Sequence, residues 1–418
     1  MRRPRRRAAA LVLLLAAALG GPARASLLDS WIGPHEMRLL GGGTEIEYVG
    51  GIAGPAVAEL ARLLDANPRV AVLQLTSQGG DTLTAMGMEQ LVRRHRLVTY
   101  VPRLCASACA YVFLGGRERY LARGARLGFH ASFGLDDSPE AEAAQAGATR
   151  SWLVQRGIAP AFAERAVTTP SSTIWYPTAA EMVRAGVLTA AASPRRFAPP
   201  SFGSGTPRLL RGTSLRDDPL FAASRALLKA IRRADAAAFA AMQASVAEAL
   251  RTGTYDPAIG GAVTERLAAL LERAAAVGSD ASVIAFTRAR ADEMERLAGI
   301  DPAVCVDLPA VTEAERDAAD AAIPAEITLR QVQALTELLG SSVDRPQPPP
   351  SPAQAKAIYD ALLRAKGREL GGDLRLLGRP ELQPAAACRL RVAVMRAMLA
   401  LDPGPRSVVL RAAVSGRL

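Results

Sequence analysis

The sequence predicts an α/β domain in its first half and an all-helical region after it. Three observations lead there. Between Thr44 and Ala192, short β-rich runs alternate with stretches of helical spacing, the pattern of an α/β sheet. From residue 213 onward, apolar residues recur at helical spacing almost throughout. Two proline-rich stretches, 193–212 ("SPRRFAPPSFGSGTPRLLRG") and 341–354 ("SSVDRPQPPPSPAQ"), have the composition of linkers. The expected organisation is therefore 26–192 for the α/β domain, 213–340 for a helical domain and 355–418 for a helical C-terminal segment.

The first 25 residues stand apart. "MRRPRRR" is a positive leader, "AAALVLLLAAALG" is apolar but shorter than the roughly 20 residues a bilayer span needs, and "ARA" precedes Ser26 as a small-x-small cleavage site. The expectation is a signal peptide over residues 1–25, cut after Ala25, and a periplasmic or secreted mature chain with no integral membrane span. An uncleaved anchor is the alternative, and the shortness of the apolar stretch weighs against it. Half of the 418 residues are hydrophobic, enough for real cores, and aromatics make up only 5%. The net charge is +11, but residues 1–25 carry six arginines and no acid, which leaves +5 for the rest. No basic stripe is interleaved with aromatics, so nucleic acid is not an expected partner.

In order, "TEIEYVG" alternates as a strand does. "GPAVAELARLLDANP" is a helix with Val57, Leu60, Leu63 and Leu64 on one face and Pro68 past its end. "RVAVLQLTS" is a buried strand, "QGGD" a turn, and "DTLTAMGMEQLVRRHR" a helix capped by Asp81. "LVTYV" is a strand, and "SACAYVFLGG" is apolar all round, as a buried helix is. "RYLA" and "ARLGFHA" are strands. Helices follow over Pro139–Arg156, Pro160–Val167 and "TAAEMVRAG".

Two places in this layout bear on chemistry. A strand ending in Gly79-Gly80 exposes backbone N–H groups, because glycine lets the chain turn sharply and approach a ligand closely. Ser107 stands where strand gives way to buried helix. If the two turns are neighbours, the N–H groups of Gly80 and Ala108 form an oxyanion hole, and His130, ending the last strand, is the base for Ser107. Taken singly, each feature has an ordinary reading: a helix cap for Ser107, a core histidine for His130, a tight turn for Gly79-Gly80.

From "LTSQGGD" through "CASACAYVFLGG" to "ARLGFH", with "YPTAAEMVRAGVLT" closing, the chain resembles the proteolytic subunit of Clp protease, within the Clp/crotonase superfamily. The resemblance covers roughly Thr44 to Ala192. It implies a spiral of β-β-α units, Ser107 as nucleophile, His130 as general base, Gly79, Gly80 and Ala108 as the oxyanion hole, and assembly into a homo-oligomer. The family's third residue is an Asp before the closing helix, and here those positions hold Ser172, Thr173 and Ile174. Asp136 and Asp137, in "FGLDDSPE", are candidates for the role.

The chain has 4 cysteines, and an even number in an exported protein suggests disulfides. Cys105 and Cys109 flank Ser107, four positions apart, close enough to bridge if Cys105 lies just outside the helix. Two buried thiols are the equal alternative. Cys305 and Cys388 lie on either side of the second proline stretch, where a bridge would tie the two helical parts together. Cys-x3-Cys without a partner pair is no metal site, and neither metal nor cofactor is expected. The reading is an exported serine hydrolase acting on peptide or protein substrates. The alternative is a catalytically inactive scaffold or regulatory protein on the same fold.

Overall fold

The computed structural model describes residues 35–53, 55–132, 139–192, 196–201, 219–252, 257–312, 322–367 and 373–418, with a few single positions between them. They fall in two compact units, one of residues 29–218 with 241–259 and one of 219–240 with 260–418.

The first unit is α/β, as expected. Its strands are β1 (His35–Leu40), β2 (Glu45–Gly50), β3 (Val72–Thr76), β4 (Val98–Val101), β5 (Leu104–Ala106), β6 (Glu118–Ala122), β7 (Arg126–Gly128) and β8 (Ala190–Ala192). Its helices are α1 (Pro55–Ala66), α2 (Thr82–Arg94), α3 (Ala108–Leu114), α4 (Pro139–Gln155), α5 (Pro160–Thr168) and α6 (Ala179–Arg184). A six-stranded sheet runs β1-β2-β3-β4-β6-β8, parallel except for the antiparallel β1–β2 pair, and β5 and β7 form a second, two-stranded parallel sheet. Along the chain β3 leads through the Gly-Gly turn to α2, β4 and β5, then to the serine-headed α3, and β6 and β7 lead to His130.

Three strands escape the sequence pattern. β1 is an edge strand with a half-exposed face. β8 is three alanines, poor strand formers held by their partner Tyr120–Ala122. β5 is three residues long and exists through pairing with β7 and a bridge from Cys105 to Ser77. β2 reads as a half-exposed strand, yet all six of its residues are buried. Residues 196–201 account for this. The Glu45 carboxylate accepts the Ala198 N–H at 3.0 Å and Glu47 accepts that of Ser201 at 3.1 Å, while Phe197 stacks on Tyr100. The opposite face carries the main core, including Ile46, Leu73, Leu75, Val92 and Leu97, none of them exposed.

The helices after residue 218 are α7 (Pro219–Ala234), α8 (Ala236–Thr252), α9 (Pro257–Val277), α10 (Asp280–Ile300), α11 (Pro302–Cys305), α12 (Ala325–Asp344), α13 (Pro352–Lys366), α14 (Pro384–Leu399) and α15 (Pro403–Val414). In the second unit α12 packs on α7 and α10, and α10 also meets α14 and α15. Cys305 on α11 is bonded to Cys388 on α14, Cα atoms 5.9 Å apart. The expected linker 341–354 is extended only over residues 345–351. α12 continues to Asp344, with the Ser341 and Ser342 hydroxyls bonded back to Leu338 and Leu339 carbonyls, and Ser351 caps α13. Gln347 N–H on the Val277 carbonyl and Arg411 on the Pro348 carbonyl hold the proline segment to its unit. Among the described residues no helix is long and apolar enough to cross a membrane. The expected signal peptide lies outside the described residues.

Candidate active site

Ser107 is a half-buried residue in an unusual backbone state, φ +56° and ψ −129°. Non-glycine residues avoid this region, and where one is held there the surroundings over-determine it. The cause is a sharp passage from β5 into α3. The Ser107 N–H donates to the Gly128 carbonyl at 3.0 Å, continuing the β5–β7 ladder, while the Ser107 carbonyl accepts from Ala110 N–H at 2.9 Å and starts the helix. A serine on such a turn makes no side-chain cap here, so the cap reading of Ser107 gives way to an elbow.

The Gly-Gly turn lies against this elbow. Ser77 and Leu104–Ala106 exchange backbone bonds of 2.9 and 3.0 Å. A β-carbon built on Gly79 would stand 2.8 Å from the Ala106 carbonyl oxygen and 3.0 Å from the Ala108 nitrogen. The Gly79 carbonyl accepts from Ile52 N–H at 2.9 Å, and every described peptide bond is trans. In a trans peptide C=O and N–H point opposite ways, so the Gly80 N–H points away from Ile52. By the same geometry the Ala108 N–H points back out of the start of α3, because the Ser107 carbonyl points along the helix. Among the described residues neither N–H has a hydrogen-bond partner.

His130 follows two residues after Gly128, whose carbonyl holds Ser107. Phe129 is paired with Trp175 by two 2.9 Å backbone bonds, and Ala131 N–H donates to the Thr169 carbonyl at 2.8 Å. The strand carrying the imidazole is thus fixed on both sides of it. The ring Nδ1 lies 2.6 Å from the Ala131 carbonyl. A carbonyl only accepts, so Nδ1 carries the proton and Nε2 keeps its lone pair. Burial pushes the His130 pKa below the ordinary 6.5, and the Ala131 bond opposes part of that shift. Ser107 and His130 line one small pocket, whose apolar wall includes Ala110, Leu114, Leu153 and Val167. Tyr111 also lines it, and its phenol pairs with the Ser132 hydroxyl at 3.2 Å.

Cys105 and Cys109 are joined by a disulfide, both fully buried, so the thiol alternative gives way. Thr173 bonds the Pro170 carbonyl through its hydroxyl, and the Ile174 side chain lies over Gly128. Asp136 and Asp137 lie outside the described residues. Sequence reasoning missed the Ala131 carbonyl and the place of Gly128. No pattern announces the first. The second had a signal, a glycine inside a strand, which marks a close approach: a β-carbon there would meet Ile174 and Tyr176 at 2.5 and 2.6 Å. No group of His, Cys, Asp and Glu among the described residues could hold a metal ion.

The α/β unit combines a mixed six-stranded sheet with a two-stranded parallel one, helices connecting the strands. No family profile matches the chain, and no curated protein matches it. Similar solved structures include a ClpP1 mutant from Listeria monocytogenes, at 11% identity over 37% of this chain and 94% of that one, with a TM-score of 0.33. A mutant of the 1510-N membrane-bound stomatin-specific protease with a substrate peptide is 19% identical over 35% of this chain and 73% of its own, TM-score 0.29. An enoyl-CoA hydratase from Mycobacterium avium subsp. paratuberculosis K-10 is 14% identical over 56% and 97%, TM-score 0.30.

Proposed function

We propose that the chain is an exported serine hydrolase acting on peptide bonds, with Ser107 as nucleophile and His130 as general base. The observation that carries this reading is the elbow: Ser107 is held at positive φ by the carbonyl two residues before His130, and the two side chains line one cavity. A hydroxyl presented on a strained strand-to-helix turn is exposed to a substrate on one side. His130 Nε2, unprotonated because Nδ1 holds the proton, takes the Ser107 proton as Oγ attacks the scissile carbonyl. The oxyanion forms beside the N–H groups of Gly80 and Ala108. His130 then returns the proton to the leaving amine, and water repeats the sequence on the acyl-enzyme.

The Ala131 carbonyl fixes the tautomer, and a carboxylate would also stabilise the imidazolium. Asp136, six residues past His130, is the proposed acid. Two disulfides support export, since such bonds persist in oxidising compartments. A homo-oligomer is part of the same reading, and sedimentation of the mature chain tests it.

A fluorophosphonate probe on the oxidised full chain tests the function. The expected result is covalent labelling that Ser107→Ala abolishes and His130→Ala slows. Equal labelling of wild type and Ser107→Ala overturns Ser107 as the nucleophile, and labelling of neither overturns the hydrolase and leaves the inactive-scaffold reading.

A further inference from the structure

The candidate nucleophile is enclosed in a covalent ring. The disulfide joins Cys105 to Cys109 at a sequence separation of 4, with Cα atoms 5.3 Å apart, and Ser107 lies midway between them. Cys105 belongs to β5, paired with Leu127 and bridged to Ser77, and Cys109 to the first turn of α3. The bond therefore ties the strand before the elbow to the helix after it. Two hydrogen bonds, to Gly128 and from Ala110, also hold Ser107 at φ +56°. The disulfide is the covalent restraint among them.

A disulfide restrains the unfolded chain more as its loop lengthens. The Cys305–Cys388 bond, at a separation of 83, is built for that. The Cys105–Cys109 loop is too short for global stability to be its main effect. We propose that the Cys105–Cys109 disulfide is a positioning element, locking the β5-to-α3 elbow so that Ser107 keeps its reactive backbone state. This rests on the reading of Ser107 as nucleophile, and the experiment separates the two.

The full-length Cys105→Ala/Cys109→Ala variant is compared with wild type and with Cys305→Ala/Cys388→Ala. Two quantities are read: amide exchange at Ser107 and Ala110, whose N–H groups report the elbow, and the rate of Ser107 labelling by a fluorophosphonate. Loss of the first disulfide is expected to speed exchange at both amides at least tenfold more than at Leu73 and Leu75 of β3, which report any global loss of stability, and to slow labelling at least tenfold. Loss of the second is expected to leave both readouts at wild-type values. Wild-type exchange at Ser107 and Ala110 in the first variant overturns the proposal. If wild type itself is not labelled, the hydrolase reading fails, while the exchange data still decide the clamp. Should the alanine pair not fold, Cys105→Val/Cys109→Ala refills the buried volume and is read in the same way.

Discussion

A β-carbon added to Gly79 would stand 2.6 Å from the Cβ of Ser107. The Gly-Gly turn and the elbow thus touch across the space of a missing side chain, at a glycine whose own φ is +110°. Gly79→Ala combines backbone strain with a collision against backbone atoms of residues 106 and 108. Gly124 makes the control: its φ is +82°, with nothing within 4 Å of an added β-carbon. Strain at a left-handed position costs about 1–3 kcal/mol. Gly124→Ala is expected to lose that much stability and keep wild-type labelling. Gly79→Ala is expected to lose more and to label at least tenfold more slowly. Thermal melts and probe kinetics on the pair check this, and equal behaviour would refute the contact as a determinant of the elbow.

The imidazole of His130 is held below 6.5 by burial, against the pull of the Ala131 carbonyl. It is neutral at pH 7, the form a general base needs. Labelling is expected to be flat through neutrality and to decline in acid with a midpoint below 6.5. Stability moves in the same direction. The unfolded chain takes up this proton near 6.5 and the folded chain resists it, so the stability gained from the neutral ring is present above 6.5 and is lost as pH falls toward the folded value. His130→Ala should lower the rate by about 10²–10⁴ and remove the acid limb. A midpoint above 6.5 would mean that a carboxylate beside the ring, such as the proposed Asp136, outweighs the burial.

Glu89 is fully buried on α2 and meets Arg156 through two bonds, Nε to Oε1 at 3.1 Å and Nη2 to Oε2 at 3.2 Å. Arg156 lies 4.3 Å over the Trp152 ring, which packs on Tyr111 of the cavity wall. Arg156→Ala leaves the buried carboxylate only the longer, 3.7 Å contact with the exposed Arg93 and is expected to cost about 3 kcal/mol, the low end for a broken buried pair. Replacing both partners, as Glu89→Met/Arg156→Met, removes the stranded charge and should cost clearly less. Urea titration of the single and double variants decides it. A double variant weaker than the single would overturn the account.

The helices and central strands were legible because their patterns are local. α2 starts at Asp81, which caps Thr84, and α3 is apolar on every face because every face is buried. Ser107, His130 and the two glycines could be picked out by order along the chain. What could not be read depends on distant partners. Glu45 and Glu47 look like the wet side of a strand until residues 198 and 201 cover them. β8 is a strand because Tyr120–Ala122 waits for it. The positive φ of Ser107 goes with a distant partner, the Gly128 carbonyl that accepts its N–H, and with a turn at Gly79 that has no room for a side chain beside it, and no local pattern encodes it.

The two disulfides should differ in what their removal costs. Chain-entropy estimates give about 2 kcal/mol for a loop as short as Cys105–Cys109 and about 4.6 kcal/mol for one as long as Cys305–Cys388. The long loop spans α12 and α13 and joins α11 to α14, so its loss frees a large part of the helical unit's unfolded chain. Cys305→Ala/Cys388→Ala is therefore expected to lower the melting temperature of the helical unit more than Cys105→Ala/Cys109→Ala lowers that of the α/β unit. The oxidised wild type, with every cysteine bonded, should show no free thiol under denaturing, non-reducing conditions. Calorimetry of the oxidised wild type and both variants measures the difference. The order is set by loop length, so a larger loss from the short bond would mean that its effect lies in native-state packing around Ser107 rather than in the unfolded chain.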